Sequence, residues 1–189
     1  MAALASMSAG LQAAMLLARG RPEGLRYVEP GLDGARRSFW AALICLPLFV
    51  GLRFAAWAGG PDPAHAGVLD LFGYVTGWAG FALLSRPLVA WIGRDDGWPR
   101  FIVAWNWCNV VQYVLLLAAA VPGLLGAPDW VQQAAGLVAV GWAIWLEWYA
   151  ARLTLDVGPL PAAAQMHNQS PGANTCRCAG RPCFSCPTG

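Results

Sequence analysis

Four long apolar runs dominate this sequence and leave few environments in which it can fold. They extend from Ser38 to about Gly59, from about Gly67 to Ile92, from Phe101 to about Val121, and from Trp130 to about Leu153. Each holds roughly 20 residues or more, which at about 1.5 Å per residue matches a hydrocarbon core of about 30 Å. The connectors are Gly60-Pro61-Asp62-Pro63, Arg94-Asp95-Asp96-Gly97-Trp98-Pro99 and the stretch from Pro122 to Pro128, all rich in turn residues. Only 12% of the 189 residues are charged and 58% are hydrophobic, where soluble domains carry about 25% charge. Lipid must cover part of that apolar surface. The expected fold class is therefore all-α, a polytopic membrane helix bundle with four transmembrane helices. Pro47 and Pro87 fall inside spans, where kinks are better tolerated than in soluble helices.

The chain divides into three parts on this reading. Residues 1–37 form an amphipathic and irregular N-terminal segment, residues 38–155 the four-helix bundle, and residues 156–189 a polar tail without regular structure. Nothing basic precedes Arg19, so the first stretch does not resemble a secretory signal. Leu4, Met7, Leu11, Met15 and Ala18 recur at helical spacing and suggest a helix lying on the membrane surface. Pro22, Pro30, Gly31 and Gly34 interrupt the stretch between that helix and span one.

All twelve basic residues are arginine, and with abundant Ala, Gly and Pro they suggest a bacterial gene of high G/C content. Their distribution sets an orientation. Arg19, Arg21, Arg26, Arg36 and Arg37 precede span one, Arg94 and Arg100 lie between spans two and three, and Arg152, Arg177 and Arg181 follow span four. The two remaining connectors have none. By the positive-inside rule both termini face the cytoplasm, which points to the bacterial inner membrane. Trp40, Trp57, Trp91, Trp98, Trp105, Trp130 and Trp148 lie near span ends, where aromatic belts form. Gly73, Gly77 and Gly80 share one side of span two and mark a helix-packing face, for a partner within the chain or in another copy.

Ionisable residues inside spans call for a partner or a pathway. Arg53 and Asp70 each lie about one turn inside the outer ends of spans one and two, so the hairpin should pair them as a structural ion pair. Nearer the opposite surface, Arg86, Asn106, Asn109 and Glu147 are expected to gather into one intramembrane polar cluster, with Gln112 deeper on the same stripe as the two asparagines. Interhelical hydrogen bonds of this sort are worth about 0.6–2 kcal/mol each, enough to fix helix register.

No catalytic signature is present. The sequence lacks a Gly-x-Ser-x-Gly elbow, a His-Glu-x-x-His motif and a phosphate-binding loop, and His65 and His167 fall in connectors on opposite sides. The small net charge of +2 gives no reason to expect nucleic acid. The tail ends in Cys176, Cys178, Cys183 and Cys186, a Cys-x-Cys followed by Cys-x-x-Cys that could offer four thiolates to one zinc. No cofactor is otherwise expected. The abrupt change in character after Pro161 also fits a frameshift near Ala164, in which case another frame of the gene should encode an apolar run of about 20 residues.

Three segments carry a resemblance. They are Arg37-Ser38-Phe39-Trp40-Ala41-Ala42 with Leu46-Pro47, then Pro99-Arg100-Phe101-Ile102-Val103-Ala104-Trp105-Asn106-Trp107, and Leu155-Asp156-Val157-Gly158-Pro159-Leu160. Through them, residues 15–160 or so resemble uncharacterised small multi-pass membrane proteins of alphaproteobacteria, similar more distantly in architecture to the Yip1 group. The resemblance implies a five-span bundle, of which this chain lacks the last span, and it brings no reaction or catalytic residues. The leading expectation is a non-enzymatic integral membrane protein that organises or binds membrane components. Its partners would be the lipid bilayer and either further copies of itself or other membrane proteins. The alternatives are a small transporter or channel subunit working through the polar cluster, and a membrane-anchored zinc-binding tail.

Overall fold

The computed structural model describes residues 2–58 and 62–156, together with 177–178 and 181–182. Residues 1–156 form one compact unit. In it, α1 (Ala2–Ala18) leads through a 3-10 turn, Pro22–Tyr27, to α2 (Gly31–Ser38) and α3 (Trp40–Ala58). Next come α4 (Pro63–Trp91), a second 3-10 turn at Asp95–Gly97, α5 (Trp98–Leu124) and α6 (Asp129–Leu155). Four stretches are long and apolar enough to cross a membrane: Gly31–Phe54, Ala64–Trp91, Asp95–Leu124 and Asp129–Leu155. The unit is an all-α membrane bundle. In the remainder of the chain, Arg177–Cys178 pairs antiparallel with Arg181–Pro182.

Local chemistry sets where the helices begin and end. Asp62 caps α4 by accepting a hydrogen bond from the His65 backbone N–H (3.1 Å), and Pro63 occupies the first helical position, where a missing N–H costs nothing. Helices α1 and α4 stop in the same way. Gly20 (φ 71°) and Gly93 (φ 70°) adopt the left-handed conformation that glycine takes without penalty. The residues after them return hydrogen bonds to the last turn, Arg21 N–H to the Leu16 carbonyl at 2.9 Å and Arg94 N–H to that of Val89 at 3.1 Å. Pro47 and Pro87 sit within continuous helices.

Helix α5 is the centre of the bundle, and α1, α2, α3, α4 and α6 all pack on it. Its first half is buried on every side, from Phe101 through Cys108 and again at Val110 and Gln112. Ala13, Ala14 and Leu17 of α1, Ala35 and Ser38 of α2, Ala41 and Cys45 of α3, and Leu146 and Ala150 of α6 are among the buried residues of its neighbours. Polar ties close this end. Arg100 donates from Nη2 to the Leu25 carbonyl (2.8 Å), the Tyr149 hydroxyl to that of Gly20 (2.8 Å), and Arg94 to that of Asp156 (3.1 Å). Arg37 pairs with Glu29 at 3.0 Å.

The structure bears on two expectations. Helix α1 exists, but it packs into the bundle through Gly10, Ala13, Ala14 and Leu17, while Leu4, Leu11 and Met15 are exposed. A Cβ on Gly10 would collide with the Trp107 indole. The small residues make the close contact, and the large ones that carried the periodicity face outward. Trp105 does not belong to an interfacial belt either. It is buried and stacks on Phe81 at 3.9 Å between ring centroids, whereas Trp40, Trp91, Trp130 and Trp148 are exposed.

Candidate functional site

Helix α4 touches the rest of the bundle through a narrow stripe. Tyr74, Trp78, Ser85 and Val89 are its buried residues, spaced by about one helical turn or two so that they fall on one side. Rings carry most of the contact. Tyr74 lies 4.8 Å from Phe49 of α3 and 6.3 Å from Tyr113 of α5, Trp78 meets Trp105 edge-on at 5.2 Å, and Phe81 stands 5.9 Å from Phe101. Offset and edge-on aromatic pairs add about 0.5–1.5 kcal/mol each beyond area burial. The Tyr74 hydroxyl also donates to the Ala42 carbonyl (2.5 Å) and ties α4 to α3.

Beside these rings the three helices line an open cleft of about 520 Å³. Arg53 and Asp70 close one end. Arg53 Nε donates to Asp70 Oδ2 and Nη2 to Oδ1, both at 2.9 Å, in the two-pronged geometry that a planar guanidinium favours. The walls are Phe49, Tyr74, Trp78, Phe81, Trp105 and Tyr113, and Asn109 supplies a polar edge. Gly73 and Gly77 also line it.

Of the two partners open to the glycine face, one within the chain or one in another copy, the first is not found among the described residues. A Cβ built on Gly73, Gly77 or Gly80 would meet nothing within 4 Å. The glycines leave room beside α4, and no neighbouring helix among the described residues uses it.

The second group of polar residues does not assemble as expected. Arg86 is exposed on α4, with its guanidinium 5.7 Å from the Trp98 ring centre, and Trp98 Nε1 donates to Ser85 Oγ at 3.0 Å. Asn106 is fully buried and donates to Ser38 Oγ of α2 at 2.7 Å. Asn109 donates to the Trp105 carbonyl of its own helix (2.9 Å). Glu147 is half-buried on α6, close to Gln112 and to the Trp105 indole. That indole N–H is buried and lacks a hydrogen bond of good geometry, so its contact with Glu147 is electrostatic rather than a formed bond. Gln112 Nε2 reaches the Ala143 carbonyl only at 3.5 Å. The reason is helical geometry. At about 100° per residue, each step of three lags by about 60°, so Asn106 and Gln112 point about 120° apart and toward different neighbours. Arg86 follows Ser85 by one residue and is turned off the packed stripe by the same rotation.

Of the cysteine motif, Cys176, Cys183 and Cys186 lie outside the described residues, and of Cys178 only the backbone pairing is described. Among the described residues, no three His, Cys, Asp or Glu side chains converge as metal ligands would.

The aromatic cleft had a signal that polar residues obscured. Tyr74, Trp78, Phe81 and Ser85 follow i, i+4, i+7 and i+11 along span two, a helical stripe. Compared with family models, with curated proteins and with solved structures, the chain matches none.

Proposed function

We propose that this is a non-enzymatic integral membrane protein of a bacterial inner membrane, with both termini in the cytoplasm, that binds a membrane component in the cleft between α3, α4 and α5. The carrying observation is that cleft of about 520 Å³, with an ion pair at one end, rings along its walls and open space over Gly73 and Gly77. Pockets of roughly 300–1,000 Å³ with mainly apolar lining and a few placed polar groups are the usual form of a small-ligand site. A membrane helix that served only to fill the bundle would be expected to present its small residues to a neighbour. The arginine distribution supports the orientation. The separate neighbours of Arg86, Asn106 and Glu147 favour this reading over the transport alternative.

The test is to purify the chain in mild detergent, extract what travels with it, and compare it with Gly73→Leu. Nothing within 4 Å opposes a Cβ at that position, so the leucine should enter the cleft and leave the fold intact. The unaltered chain should carry a bound component that the variant has lost. Identical extracts would reject the reading. Proton or solute flux in reconstituted vesicles, abolished by Glu147→Gln, would put the transport alternative in its place.

A further inference from the structure

We propose that the component bound in the cleft is a zwitterionic phospholipid, with its headgroup at the Arg53–Asp70 pair and one acyl chain along Gly73 and Gly77. This rests on the reading of the cleft as a binding site and adds the ligand's chemistry. Charge argues first. The pair holds one positive and one negative group within 2.9 Å, and so offers both signs of charge side by side. An anionic headgroup would gain Arg53 and be repelled by Asp70, and a cation would meet the reverse. A headgroup carrying both signs gains at both partners.

The geometry has room for this arrangement. The Arg53 side chain is 47% exposed, and its bonds to Asp70 use Nε and Nη2. A guanidinium has five N–H donors, and the Nη1 edge can therefore take a phosphate oxygen while the ion pair stays intact. The ammonium end would lie toward the Asp70 carboxylate, whose two oxygens have lone pairs beyond those that Arg53 uses. Below the pair the lining turns apolar, with Gly73, Gly77, Trp78 and Phe81. From Asp70 to Phe81 is eleven residues of helix, about 16 Å, close to half of a hydrocarbon core of about 30 Å. The cleft thus runs about as deep as one leaflet's chains. A free zwitterion such as an amino acid would use the charged end and leave this apolar length unfilled, which is why the lipid is the favoured occupant.

The experiment uses the full chain in mild nonionic detergent. Equal amounts of palmitoyl-oleoyl phosphatidylethanolamine and palmitoyl-oleoyl phosphatidylglycerol are added, and retained lipid is counted by native mass spectrometry. The unaltered chain should hold one phosphatidylethanolamine, preferred about tenfold over phosphatidylglycerol, the effect of a single charge-assisted hydrogen bond. Gly77→Leu should lose that lipid. The exchange Arg53→Asp with Asp70→Arg keeps an ion pair between the helices but reverses its polarity, and it should reduce the preference. A purely structural pair would leave the preference unchanged. Equal retention of both lipids, lost in Gly77→Leu, would overturn the headgroup assignment and leave the cleft as a site. Retention unchanged in Gly77→Leu would overturn both.

Discussion

Helices α4 and α5 are similar in length and apolarity, yet they are built into the molecule in opposite ways. The first half of α5 is enclosed by five other helices. Helix α4 is bare along most of its length, with Val68, Phe72, Leu83, Leu84 and Leu88 all exposed. Hydropathy cannot tell these helices apart, because lipid is as apolar as leucine and leaves no hydrophobic force to drive one span against another. The difference lies in the side chains their neighbours offer. Around α5 the neighbours present Gly10, Ala13, Ala14, Ala35, Ala41 and Ala150, which allow close approach on several sides. Around α4 contact is confined to the stripe of rings with Ser85 and Val89 and to the Arg53–Asp70 pair, and its own glycines face open space.

The sharpest way to break this comparison is to truncate one apolar residue in each helix. Ile102 of α5 has no exposed surface, whereas Leu84 of α4 is 73% exposed. Ile102→Ala should cost about 2–5 kcal/mol through lost packing and the cavity left behind. Leu84→Ala should cost under about 0.5 kcal/mol, as at other sites without packing partners. Unfolding by sodium dodecyl sulfate in mixed micelles would read both. Equal losses would mean that α4 is packed against something at Leu84.

A second test uses the same residue type in the two regions. At Gly10 an added side chain meets the rigid Trp107 indole, and Gly10→Leu should cost about 1–3 kcal/mol through forced displacement of α1. Gly73→Ala meets nothing and should be neutral or slightly stabilising, because alanine is the better helix former by up to about 1 kcal/mol. The same micelle titration applies. A costly Gly73→Ala would show that another helix is packed closely on the glycine face in the folded protein.

The spans were legible because their length is imposed by the bilayer. Trp130 to about Leu153 became Asp129–Leu155, and Phe101 to about Val121 became Trp98–Leu124. Arg53 and Asp70 could be placed together because a short hairpin fixes their relative depth, and their partners need no long-range information. The cluster of Arg86, Asn106, Asn109 and Glu147 was a different problem. Depth alone put those residues at one level, but their rotation about each helix axis decides whom they face, and the packing that sets the rotation depends on small residues scattered through α1, α2 and α6. Helix α1 shows the same limit. Leu4, Leu11 and Met15 gave a clear period, and the buried residues lie on another face. The cleft was missed for a related reason, since rings in a membrane chain read as interfacial anchors until a partner ring is found beside them.

The smallest effect tests how far the enclosed end depends on polar contacts at all. Asn106 donates to Ser38 Oγ at 2.7 Å, and Ser38 Oγ donates to the Ala35 carbonyl at 2.7 Å, linking α5 to the end of α2. The Asn106 Oδ1 is buried and has no hydrogen-bond partner among the described residues, so this residue already carries a desolvation cost. Ser38→Ala removes the acceptor for the amide hydrogen and should cost about 1 kcal/mol, in the range for polar contacts between membrane helices. Asn106→Leu removes the amide together with its unsatisfied oxygen, and should be nearly neutral or even stabilising. In the double variant, the penalty of Ser38→Ala should largely vanish, because no orphaned donor remains to be penalised. The coupling in such a cycle would then be about 1 kcal/mol. A coupling near zero would mean that shape alone seats α2 on α5, and that the enclosed end differs from the bare one only in how closely its small residues let the helices approach.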